Sequence, residues 1–216
     1  MTLCHKKETH EMTLTDIHTH NSATENAIFN SGKEYITDRN ISMGIHPWEI
    51  DANWECEFAS IAEFAKVENV VAIGECGFDT LKYSAPIELQ ENIFRSHALL
   101  AERVKKPLII HCVKAYDRIM ALYKEIEPQQ AWIIHGFRGK PELARQLVKT
   151  GFHISLGEKF NPQSATVIPL ERLFIESDES TQPLAGIYEA VAAAKKMPIG
   201  MLAQQIEANT RIFIQF

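Results

Sequence analysis

The chain has 216 residues, 45% of them hydrophobic and 23% charged, with a net charge of −6. That length suits a single domain spanning 1–216, and the composition excludes disordered, collagenous and membrane-embedded classes. The acidic balance excludes a broad basic face for long duplex DNA, yet leaves room for a nucleic-acid substrate at a small site whose cations carry their own charge.

Eight apolar stretches read as strands. Met12 to Ile17 comes first and runs into His18-Thr19-His20. Asn26 to Phe29 and Asn40 to Ile45 follow, the latter running into His46-Pro47. Trp54 to Val67 then has helical spacing at Phe58, Ile61, Ala62 and Ala65. Val70 to Gly74 reads as a buried parallel strand. A long helix is marked by Ile87, Leu89, Ile93, His97, Leu100 and Val104, with Ser84 before Pro86 as its start. Pro107 to Ile110 leads to His111, and Ala131 to Ile134 leads to His135. Between and after them lie amphipathic helices, Tyr116 to Ile126 and Pro141 to Lys149, the second stopped by Gly151. Phe152 to Leu156 and Arg172 to Ile175 complete the strands, and Glu176-Ser177-Asp178 follows. Helices over Gln182 to Lys196 and Ile199 to Ala208 close the chain, separated by Pro198. Strands alternating with helices predict an α/β fold, a TIM (β/α)8 barrel. It should be distorted or trimmed around strands 2 and 3, because Asn21 to Asn40 is short for two full units.

The strongest signal is positional. Metal-capable side chains follow buried strands: His18 and His20 the first, Glu75 the fourth, His111 the fifth, His135 the sixth and Asp178 the eighth. In a barrel those strand ends converge on one face. His18 and His20 lie two apart, so both rings can face the axis. Glu75 follows a fully buried strand, where an uncompensated carboxylate is costly; its two oxygens can bridge two ions. Nitrogen and oxygen donors without cysteine suit Zn, Mn, Mg or Fe. Asp178 is the candidate general base for a water made acidic by cations. The plainer readings are solvated turn histidines, a salt-bridged Glu75, and an Asp178 near a helix start at Thr181. Arg138, Lys140 and Lys114 border the same loops and could hold a phosphate or carboxylate. His46 is a candidate substrate or supporting contact, or a turn residue before Pro47. His97 reads as structural, His153 as a strand residue without a metal partner, and His5 and His10 as solvated.

No apolar run approaches the roughly 20 residues of a membrane span, and the N-terminus lacks the apolar core of a secretory signal, so a cytoplasmic location is expected. Cys4, Cys56, Cys76 and Cys112 form no C-x-x-C pair and read as free thiols packed as small buried hydrophobes.

Six motifs in order carry a family resemblance: Asp16-Ile17-His18-Thr19-His20, Gly44-Ile45-His46-Pro47, Ile73-Gly74-Glu75-Cys76-Gly77-Phe78-Asp79, Pro107-Leu108-Ile109-Ile110-His111, His135-Gly136-Phe137 and Ile175-Glu176-Ser177-Asp178. Together they resemble the TatD family of metal-dependent hydrolases, within the amidohydrolase superfamily. The resemblance extends to Asn209-Thr210-Arg211-Ile212-Phe213. It implies a TIM barrel holding one or two Mg, Mn or Zn ions. His18, His20 and Asp178 would share one ion with Glu75, which would bridge to a second held by His111 and His135. It also implies a deoxyribonuclease, often an exonuclease on DNA ends, using a metal-activated hydroxide, with Asp178 and Glu75 as its catalytic carboxylates. The chain departs from the family pattern in its length, in His135-Gly136-Phe137-Arg138-Gly139, in Asp178-Glu179-Ser180 and in Gly77-Phe78-Asp79. Those departures fall on the substrate pocket and leave the six ligands in place.

Three functional readings follow. The first is phosphodiester hydrolysis on DNA or a small phosphodiester. The second is an amidohydrolase-type cleavage of a small anionic ester, lactone or amide. The third is a non-catalytic metal-binding partner module. A monomer without an obligate protein partner is the default.

Overall fold

The computed structural model describes residues 12–82 and 85–213. Eight strands lie in sequence order: β1 (Asp16–Thr19), β2 (Ala27–Asn30), β3 (Ile41–Met43), β4 (Val70–Asp79), β5 (Leu108–Val113), β6 (Trp132–Ile134), β7 (His153–Leu156) and β8 (Leu173–Ile175). Each neighbouring pair is parallel, so each needs a crossover connection. From β3 onward these contain α1 (Trp54–Phe64), α2 (Ile87–Val104), α3 (Tyr116–Ile126), α4 (Pro141–Thr150) and α5 (Pro162–Val167). α6 (Leu184–Lys195) and α7 (Ile199–Phe213) follow β8. The ring closes through one parallel bridge between Thr19 and Asp178. Asp178 N–H donates to His18 O at 3.0 Å, and His20 N–H donates to Asp178 O at 3.1 Å. This is the expected barrel.

The trimming falls where the short segment predicted it. Residues 20–26 and 31–40 contain no helix. The second segment covers the wall with Tyr35 and Ile36, and Tyr35 stacks on Phe64 of α1 with ring centres 4.4 Å apart.

Side chains alternate across the wall, as strand geometry requires. Leu108, Ile110, Trp132, Ile134, Leu173 and Ile175 point outward into the layer packed by the helices. Ile109, Ile133 and Phe174 point inward, with Ile17, Ile28, Val71, Ala72 and Ala131. Continuing the inner row by two residues gives His111, His135 and Glu176, so the pleat itself carries these side chains to the barrel's C-terminal mouth.

Several boundaries differ from the sequence reading. β1 begins at Asp16 rather than Met12, because the Thr15 main chain is taken by a helix side chain: Tyr188 Oη donates to Thr15 O at 2.6 Å and accepts from Thr15 N–H at 3.2 Å. β4 runs on to Asp79, paired with β5 as far as Val113. α5 was not anticipated; its signal is Asn161-Pro162, where Asn161 Oδ1 caps the Gln163 N–H at 3.0 Å. The Ser84 start, His5, His10 and Cys4 lie outside the described residues. Cys76 and Cys112 are buried free thiols, whereas Cys56 is exposed on α1, so the buried reading fails for that cysteine. No helix among the described residues is long and apolar enough to cross a membrane.

His97 sits on the buried face of α2. Its Nε2 accepts from Ile45 N–H at 3.1 Å and its Nδ1–H donates to Ile93 O at 2.8 Å. Burial pushes its pKa down to about 4. His153 is buried on β7, where burial and then Arg172 push it down to about 4 as well.

Candidate metal centre

A register shift delivers the central carboxylate. Ile73 pairs with Leu108, but Cys76 pairs with Ile110, so β4 carries one residue more than β5 between them. Ile73, Cys76 and Phe78 all face the outer layer. Strict alternation from Ile73 would turn Glu75 outward too; the extra residue turns it into the barrel. β1 has a similar shift between Asp16 and Thr19, around His18. Two glycines beside Glu75 permit the close approach. A Cβ on Gly74 would collide with Ile109 O, and one on Gly77 with His111 O.

Glu75 is 4% exposed and lies at the centre of the cluster. Its Oε1 is 2.7 Å from His135 Nε2, 2.9 Å from His111 Nδ1 and 3.2 Å from His46 Nε2. Its Oε2 is 3.2 Å from His18 Nε2, 3.6 Å from His20 Nε2 and 3.1 Å from Asn30 Nδ2. Asp178 Oδ1 lies 3.8 Å from His18 Nε2 and 3.6 Å from His20 Nε2. The six residues singled out as ligands therefore meet in one place, split between the two oxygens of Glu75.

Hydrogen bonding fixes which ring nitrogens are open. His135 Nδ1 is 3.3 Å from Glu176 Oε1, and His111 Nε2 is 3.3 Å from Asp79 Oδ2. Each ring can donate a proton to that carboxylate, which leaves the nitrogen facing Glu75 either to donate to Glu75 or to give its lone pair to an ion between them, the usual support for a metal-binding histidine. His46 is different. Its Nδ1 accepts from Trp48 N–H at 3.1 Å and caps the turn at Pro47–Glu49. Its Nε2 faces the cluster, 3.2 Å from Glu75 Oε1, and His46 with Glu75 and His111 is another set of donors that could hold an ion. His46 thus has both roles weighed from the sequence, a turn role and a supporting contact. Asp79, Glu176 and Asn30 had no assigned role; the first two were visible only as polar ends of quoted motifs.

The electrostatics match this packing. Burial pushes Glu75 up, yet the charge of His135 and hydrogen bonds from His111 and His135 hold it well below the usual carboxylate range. Burial lowers His135, but Glu75 and Glu176 together hold it well above its ordinary value. His18 is fully buried, and neither ring nitrogen has a hydrogen-bond partner among the described residues. A buried, unpaired imidazole aimed at a buried carboxylate is expensive unless a cation lies between them. Sets of three donors that could hold an ion include His18 with His20 and Asp178, and His18 with Glu75 and His135. The donors fit a divalent cation.

Asp178 is at the rim, its side chain 27% exposed and its backbone left-handed with φ 53. Five residues lie between it and α6, whose N-cap position is Pro183, so it is no helix cap. Behind it, Ser177 Oγ donates to Asp16 Oδ2 at 2.6 Å and lies 2.8 Å from Thr19 Oγ1, fixing β8 against β1. A cleft of about 380 Å³ opens beside Asp178. Arg138, Lys159, Glu158 and Glu179 line it; Lys114 and Lys140 are exposed elsewhere. On the opposite rim, Trp48 Nε1–H donates to Asp79 Oδ2 at 2.8 Å.

An eight-stranded β/α barrel with a histidine and carboxylate cluster at its mouth defines a protein built to bind divalent metal. The chain belongs to the TatD related DNase family, whose model matches residues 3–215. An uncharacterised metal-dependent hydrolase of Buchnera aphidicola is 34% identical over 158 residues, covering 68% of this chain and 59% of that protein. A 3'-5' ssDNA/RNA exonuclease TatD of Pantoea ananatis is 27% identical over 197 residues, covering 79% of this chain and 75% of its own. The chain spans less than two thirds of the Buchnera relative and 57% of a Bacillus subtilis metal-dependent hydrolase. Among solved structures, a TatD homologue from Escherichia coli K12 superposes with a TM-score of 0.73 at 20% identity, over 82% of this chain and 77% of that one. A TatD family hydrolase from Entamoeba histolytica gives 0.74 at 15%, over 94% and 98%. Both share the fold.

Proposed function

We propose that this chain is a metal-dependent hydrolase that cleaves phosphodiester bonds at the ends of single-stranded DNA. The observation that carries the reading is Glu75, a buried carboxylate with two histidine nitrogens within 3 Å of one oxygen and His18 and His20 against the other. Family membership and the exonuclease after which the Pantoea relative is named support the substrate class. The proposed ligands are His18, His20, Glu75, His111, His135 and Asp178, holding one or two divalent ions. Four imidazoles favour Zn over Mg. The reading treats 1–216 as one domain, supported by its one eight-stranded sheet.

Bound there, divalent ions would acidify a water and neutralise charge on the phosphodiester. The protein supplies the rest. Asp178, half-buried at the rim, would accept the water's proton on its carboxylate. Glu176 and Asp79 hold the rings of His135 and His111 in orientation. Arg138 and Lys159 offer charged donors to a phosphate in the cleft, while Glu158 and Glu179 limit how much anion it accepts. The test is hydrolysis of end-labelled single-stranded DNA with Mn or Mg, against EDTA and Asp178→Asn controls. Stepwise shortening lost in both controls is expected. No cleavage by metal-loaded protein would overturn the reading and favour a small anionic ester or amide.

A further inference from the structure

Trp48 is 44% exposed and Leu81 70% exposed, both at the rim of the metal centre. Exposure of that kind is common on its own; what sets Trp48 apart is the way it is held beside the histidines of the cluster. Trp48 is held rigidly. It lies in the turn at Pro47–Glu49, capped by His46, and its indole N–H is anchored on Asp79, the carboxylate that also touches His111. Its ring centre is 4.6 Å from that of His46 and 5.6 Å from that of His111. One nucleotide spans the step from phosphate to base, so a base attached to a phosphate at the cluster reaches this ring. The Lys82 ammonium sits 3.1 Å above the indole centre and covers that face of the ring, so a base stacks on the opposite face, with the cation close enough to meet its neighbouring phosphate.

We propose that Trp48 and Lys82 form a platform on which an unpaired terminal base of single-stranded DNA stacks, placing its phosphodiester at the metal centre. The platform rests on the proposed hydrolysis. It requires a base with a free face, so a terminal nucleotide still paired in duplex cannot use it. Lys82 offers its charge to the adjoining phosphate, and Leu81 extends the apolar rim.

The test compares wild type, Trp48→Ala and Trp48→Phe on end-labelled single strands whose terminal nucleotides carry a base or are abasic. Trp48→Ala should lower kcat/KM about tenfold more on base-bearing ends than on abasic ends, mainly through KM. Trp48→Phe should keep most of the preference. A loss equal on both kinds of end would mean that Trp48 only shields His111, and no loss at all would mean that it is idle; either overturns the platform. A binding measurement separates this from the hydrolysis reading. A cleavage-resistant phosphorothioate strand should quench tryptophan fluorescence in wild type but not in Trp48→Phe, and only when its terminal base is present. Base-dependent quenching in a protein that cleaves nothing would sustain the platform and remove the nuclease. Cleavage without base dependence in either readout would do the reverse.

Discussion

Glu75 faces the inside of the barrel, whereas Ile73, two residues before it on the same strand, faces the outside. The extra residue between Ile73 and Cys76 makes this possible. Gly74 stands in that step with φ 125, and its Cβ position is filled by Ile109 O. Gly74→Ala should therefore cost about 2–4 kcal/mol of stability and lower metal content, read from urea unfolding and metal analysis. Full stability with full metal content would show that β4 does not need glycine there.

Glu75 touches both halves of the cluster, one through each oxygen. Glu75→Ala should lose bound metal and activity together while leaving the eight strands paired, as seen by metal analysis beside circular dichroism. Retention of two ions per chain would displace Glu75 from its central role.

Asp178 contributes to closure through its main chain and to chemistry through its side chain. Asp178→Asn keeps the first and removes the second. A melting temperature close to wild type with turnover reduced about 10²–10⁴-fold is expected. Turnover at the wild-type rate would rule out Asp178 as the proton acceptor.

Glu176 is bonded to the ring of His135, and its Oε1 also accepts from the Gly136 N–H at 2.6 Å. Glu176→Gln should weaken metal affinity about 10–100-fold and be compensated by raising the metal concentration. An activity loss that excess metal does not restore would place Glu176 elsewhere in the mechanism.

His97 gives the fold a pH dependence away from the metal. Its folded pKa, about 4, lies below its ordinary value of 6.5. As pH falls from 6.5 toward 4 the unfolded chain takes up the proton first, so His97 removes stability over that window, by about 1.4 kcal/mol per pH unit. Above pH 6.5 it is neutral in both states and its titration contributes no pH dependence. Urea titrations at pH 7.5 and pH 5 should show a smaller acid-induced loss in His97→Gln than in wild type. Equal losses would assign the acid sensitivity to other groups, such as His153.

The barrel was readable because period-two patterning and abrupt polar strand ends are both local signals. Ile109 and His111, or Ile133 and His135, announce an inner row without reference to the rest of the chain. The shift that reorients Glu75 was not readable, since it exists only in the pairing of β4 with β5. The boundary of β1 was hidden for the same reason: Tyr188, 173 residues away, satisfies the Thr15 main chain. Asp79 and Glu176 stood in plain view as carboxylates, but their hydrogen bonds to His111 and His135 depend on contacts across strands. Cys56 shows the opposite limit, an apolar residue type on the solvent side of a helix.

First and last strands share a single bridge, and the proposed ligands His18, His20 and Asp178 sit on either side of it. An ion held by these three would rivet the seam of the barrel. Filling the site would then tighten a ring that main-chain bonds already close. Stripping the metal should be felt first as loosened amide protection along β1 and β8, before any change reaches the helical wall.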